Sequence, residues 1–152
     1  MLGRTHLAIG IFAILLFVPQ VTHKASFVIV ALIATMLPDA DSAFSTIGRR
    51  KTLRPVQMFV KHRGLFHSFT FLILITFFFV LFLPIVALPF FLGYSLHIFA
   101  DSFTIEGIRP FYPHKKSVSG RIRTGSRFET GFLVGFVLAD IAIFIVQIGR
   151  LF

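Results

Sequence analysis

Uncharged apolar runs alternate with polar stretches along this chain, and the boundaries between them predict its elements. Leu7 to Val18 is apolar and ends at a polar turn of Pro19 and Thr22-His23-Lys24, which predicts a first helix over about 5–18. Ala25 to Leu37 is a second run, stopped by Pro38 because the residue before a proline is pushed out of the helical region, so a helix is expected over about 25–37. Ser68 to Ala100 has no formally charged residue. As one helix it would be about 50 Å long at 1.5 Å per residue, too long to cross a bilayer core of about 30 Å once. Pro84 and Pro89 divide it, predicting helices over about 65–83 and 85–101, and a last helix is expected over about 128–149. Of the two long polar stretches, Ala40 to Leu65 intersperses Leu53, Val56, Met58 and Phe59 among its basic residues, which suits an interfacial helix from Pro55 onwards. Ser102 to Phe128 holds Pro110, Pro113, Gly107, Gly120 and Gly125 and favours turns or short strands.

Composition settles the solvent these helices want. Apolar residues make up 56% of the 152, Phe alone contributes 22, and charged residues are 14%, against about 25% in soluble chains. The expected fold is therefore all-α: one integral membrane domain over 1–152, with about five membrane helices and polar cytoplasmic loops. No small-residue cleavage pattern follows the first apolar run, so no removed leader is expected.

Charge orients the bundle. Thirteen of the fifteen Lys and Arg residues fall beyond the same ends of the helices, leaving Lys24 and Arg150 opposite, and such a bias places the basic side in the cytoplasm, with the N-terminus inside. The same basic rim suits anionic lipid head groups and accounts for the high pI without nucleic acid.

That cytoplasmic side also collects the chemistry. His6 opens the first helix, Asp39 and Asp41 close the second, His67 opens the third, and His97 and Asp101 close the fourth. A start, an end, a start and an end is what up-and-down helices need to gather ligands into one cluster. His97 and Asp101, four residues apart, share a helical face. Two nearby carboxylates at Asp39 and Asp41 repel unless a cation lies between them or one is protonated. With no cysteine, any metal sits on N and O ligands; mixed imidazole and carboxylate sets suit zinc first and manganese second, as one or two divalent ions. Arg63 has the planar donors to hold a substrate phosphate. Glu129, opening the last helix, is either an acid favoured by the helix dipole or a further ligand or general base. Asp140, near mid-membrane, should face the bundle.

Thr5-His6-x-x-x-Gly10, Leu37-Pro38-Asp39-x-Asp41, His62-Arg63-Gly64-x-x-His67-Ser68, Gly93-Tyr94-x-x-His97-x-x-x-Asp101-x-x-Thr104-x-x-Gly107 and Gly125-Ser126-x-x-Glu129, taken in order, resemble the YdjM-like family of inner-membrane metal-dependent hydrolases. Two positions depart from its pattern: Ser42 stands where a histidine often follows the acidic pair, and Phe66 where a threonine commonly precedes the motif histidine. The resemblance implies an integral membrane hydrolase. The expected function is hydrolysis of a phosphoester in a lipid or lipid-like substrate at the cytoplasmic membrane surface, by water acidified at a metal held by His6, Asp39, Asp41, His67, His97 and Asp101. A non-catalytic membrane protein with a structural or transported ion is the alternative, and the bond cleaved and the oligomeric state stay open.

Overall fold

The computed structural model describes residues 1–41 and 64–149, and the side chains of Ala40 and Asp41 are not among those described. Arg63 and the expected interfacial helix therefore lie outside the described residues, as does the Asp41 carboxylate. Among the described residues five α-helices carry the fold: α1 Gly3–Phe17, α2 Lys24–Met36, α3 Phe69–Phe82, α4 Pro84–Ser102 and α5 Arg127–Gly149. Short 3-10 turns follow α1 (Val18–Gln20) and α2 (Leu37–Asp41), the second containing Pro38.

Gly3–Gln20, Pro84–Ser102 and Arg127–Gly149 are each long and apolar enough to cross a membrane, while α3 is a shorter apolar helix. The outer faces of α3 and α5 carry Phe77, Phe82, Leu138 and Ile145, each about 60% exposed. Contiguous exposure of this kind requires an apolar solvent. α4 is central: it packs on α1, α2 and α3, its largest interface being with α2, and α5 lies against α1. Ala34, Leu72, Phe90, Tyr94 and Ile98 form the main core between α2, α3 and α4.

Two glycines set how closely these helices approach. A Cβ on Gly93 would stand 2.3 Å from the Ala31 carbonyl oxygen, and one on Gly10 would stand 2.8 Å from Thr35 Oγ1. Small residues at such crossings let membrane helices meet backbone to backbone, so α1, α2 and α4 are locked together about one turn below the ends that carry the candidate ligands.

The third helix begins at Phe69 rather than near Leu65. Ser68 has an extended backbone and its hydroxyl accepts a hydrogen bond from Phe71 N at 3.2 Å, an N-cap that starts the helix one residue later. His67 consequently sits in the turn before α3. Between α4 and α5 the described backbone has no regular strand, only isolated bridges pairing Thr104 with Ile122 and Ile108 with Val118. This loop is tied to the start of α3 by Phe69 N donating to Pro110 O at 2.8 Å.

Candidate metal centre

Five of the predicted ligands arrive at one place because each helix delivers its polar residue at the same end. His6 lies in the first turns of α1, and Asp39 follows the Pro38 break after α2. His97 and Asp101 are one turn apart near the end of α4. His67 is held in its turn by two hydrogen bonds: Tyr94 OH donates to Phe66 O at 2.6 Å, and Ser68 Oγ donates to Leu65 O at 2.6 Å. The first of these pins the turn onto α4 one helical turn from His97.

The donor atoms form two overlapping groups, His6 with His97 and Asp101, and Asp39 with His67 and His97, within each of which one atom per residue lies within 4.8 Å of the others. His6 Nε2 is 3.2 Å from Asp101 Oδ1, and His67 Nε2 is 3.6 Å from Asp101 Oδ2. His97 Nε2 stands 3.8 Å from Asp39 Oδ1 and 3.9 Å from Asp101 Oδ2. The rings of His6 and His97 stack with centroids 3.7 Å apart. His6, His67, His97 and Asp101 are all about 1% exposed. Three imidazoles and a carboxylate packed this closely, away from water, carry a large desolvation cost that must be met from within the cluster. The Met1 ammonium also contacts Asp101 Oδ1, supplying positive charge to the cluster.

His97 is the most informative of these groups. Its Nδ1 lies 2.7 Å from the Thr35 carbonyl oxygen, which can only accept, so Nδ1 carries the proton. Nε2 is then an acceptor with its lone pair directed into the cluster, and it is buried without a hydrogen bond. A ring nitrogen fixed by a backbone carbonyl, with its opposite nitrogen left open, is the arrangement that orients metal-ligating histidines. Burial raises the carboxyl pKa of Asp39, just outside the helical spans, the nearby His6 imidazole opposes that shift, and the Asp101 carboxylate adds to it. A cation between Asp39 and Asp101 would relieve their repulsion. The residues present thus fit a divalent ion.

Glu129 occupies a different position. Its carboxylate accepts from Leu2 N at 2.5 Å, Thr5 Oγ1 at 2.9 Å and Gly125 N at 2.6 Å. It is thereby a buried clamp joining the start of α1, immediately before His6, to the turn entering α5. Thr104 closes the neighbouring loop by donating from Oγ1 to Asp101 O at 2.7 Å. Asp140 lies on the α5 face that also carries Phe136, whose ring meets Phe12 of α1 at 5.4 Å.

Thr35 is the position in this cluster that sequence reasoning missed, because the atom that meets His97 is its backbone carbonyl. Thr5 stood in the His6 motif, but nothing in the sequence tied its hydroxyl to Glu129, 124 residues away.

A family model described as YdjM inner membrane protein matches residues 1–150. The chain belongs to this family. Membership places it in the inner membrane, in agreement with its apolar helices. No curated protein and no solved structure matches it.

Proposed function

We propose that this YdjM family member is a membrane-embedded, metal-dependent hydrolase that cleaves a phosphoester of a lipid or lipid-like substrate at the cytoplasmic membrane surface. The observation that carries the reading is the His97 imidazole, a residue common to both ligand groups, with Nδ1 locked by the Thr35 carbonyl and Nε2 buried and open. His6, Asp39, His67, His97 and Asp101 would hold one or two divalent ions, zinc in preference to manganese given the three imidazoles. Asp41 would join them from the end of the same 3-10 turn as Asp39. A divalent ion supplies Lewis acidity, polarising a phosphoryl oxygen and making water acidic near neutral pH.

The chain's own groups do the rest. Thr35 orients His97, and Glu129 positions His6 by accepting from Leu2 N, immediately before α1, and from the Thr5 hydroxyl. Arg63 would neutralise phosphate charge with its planar donors. The cytoplasmic orientation rests on the thirteen-to-two distribution of basic residues. A phospholipid substrate suits a basic rim beside ligands that lie at helix ends, the depth of lipid head groups.

The test is release of phosphate or head group from phospholipids by the purified protein in nanodiscs loaded with zinc or manganese. Release that disappears in Asp101→Asn is the expected result; no release from any phospholipid with metal bound would overturn the reading. The burial of four ligand side chains favours a second reading, a closed structural ion site. An open coordination position holding exchangeable water, detected by paramagnetic relaxation with manganese bound, separates the two.

A further inference from the structure

A half-open apolar groove of about 400 Å³ runs between α1, α4 and α5. Its upper end is formed by Met1, whose amino group touches Asp101, and by Ala100 and Phe103 on either side of that ligand. Its lower end is formed by Leu16, Phe17 and Leu92, and its far wall by Phe132 and Phe136 of α5. From Phe103 down to Leu92 is about 16 Å at 1.5 Å per residue. That is about half of a hydrocarbon core of about 30 Å, so the groove is one leaflet deep.

We propose that this groove holds one acyl chain of a phospholipid drawn from the leaflet that faces the metal centre, presenting its head group to the ligands; the assignment rests on the hydrolase reading for its purpose but on the groove for its geometry. Four observations select this occupant. The upper end of the groove is lined by Ala100 and Phe103, which flank Asp101, its length matches the depth of one leaflet, its side chains are apolar throughout, and its volume lies within the range of about 300–1,000 Å³ usual for small-molecule sites. A partner helix, about 10–12 Å across with its side chains, would need far more than 400 Å³ over a length of about 16 Å. Because lipid tails are already in an apolar medium, little hydrophobic energy is gained by entry. The groove acts by position: a chain confined along α4 fixes where its ester and phosphate sit relative to His97 and Asp101, which lowers the entropy lost on reaching the reactive geometry.

The test uses the full chain in nanodiscs of phosphatidylethanolamine and phosphatidylglycerol, doped with a phosphatidylglycerol that carries a diazirine midway along one acyl chain. After irradiation, peptide mass spectrometry is expected to find labels on Ile9–Phe17 and Leu92–Phe103 several-fold above those on the exposed α3 face around Phe77. Leu96→Trp, which fills the groove from α4, is expected to reduce that labelling several-fold while metal content per chain is retained; Leu92→Trp at the lower end serves if the first variant does not fold. Groove labelling no higher than on α3, or labelling unchanged by a folded groove-filling variant, would overturn the proposal. A labelled groove in a protein that releases neither phosphate nor head group supports the chain site and counts against hydrolysis alone.

Discussion

Replacing Gly93 by alanine tests whether the site depends on the close crossing beneath it. The new Cβ would stand 2.3 Å from the Ala31 carbonyl oxygen, 2.9 Å from Thr35 Oγ1 and 3.0 Å from Thr35 N. Real Cβ atoms essentially never come within 3.0 Å, so α2 and α4 must part by at least about 0.7 Å, and the obstacle is backbone that cannot rotate away. The parting falls on the one crossing that holds Thr35 O at 2.7 Å from His97 Nδ1 and brings Asp39 towards His97. Overpacking of this kind costs about 1–3 kcal/mol, and if the strain is released when the ligands separate, metal affinity falls by roughly 5- to 150-fold. Competition against a chromophoric zinc chelator reads that affinity directly. Gly131→Ala is the control, since a Cβ there meets nothing within 4 Å. Wild-type affinity and stability in Gly93→Ala would refute the reasoning, because the helices would then have room that the geometry denies.

Three further outcomes follow from the same geometry. Glu129→Ala strands two backbone N–H groups and the Thr5 hydroxyl, so a loss of about 2–4 kcal/mol in stability is expected together with weaker metal binding through His6, and Glu129→Gln should lose less; chemical denaturation in detergent measures both. Removing metal with a chelator should lower Tm by roughly 5–10 °C relative to protein held at 100 times the dissociation constant, as followed by differential scanning fluorimetry. Asp140 lies eleven residues beyond Glu129 on α5, about 16 Å along the helix axis, so Asp140→Asn should leave metal content unchanged by elemental analysis.

The helices were legible because proline and charge punctuate the apolar runs strongly. Pro38 marked the end of α2 within one residue, and Pro84 marked the junction of α3 and α4. The start of α3 was misplaced by four residues, since Leu65 and Phe66 continue the apolar character while the turn is decided by the Ser68 hydroxyl capping Phe71 N. Of the predicted ligands, the alternation of helix starts and ends was enough to bring His6, Asp39, His67, His97 and Asp101 together. What fixes their geometry was not readable. The His97 tautomer depends on a main-chain oxygen 62 residues away, and Glu129 on Leu2 and Thr5, more than 120 residues away at and just before the start of α1, as well as on its own turn. Long-range partners of this sort leave no periodicity behind, whereas burial at a helix end does.

The central claim is that these side chains bind a divalent ion, and metal stoichiometry tests it most directly. Protein purified without added chelator is exchanged into metal-free buffer and its zinc and manganese are counted per chain by mass spectrometry, beside His97→Ala and Asp39→Ala. The account predicts one or two ions per wild-type chain, a loss of at least one in His97→Ala because His97 serves both ligand groups, and a smaller loss in Asp39→Ala. Metal content equal in all three proteins, or absent from a folded wild type that also fails to take up added zinc, would contradict it.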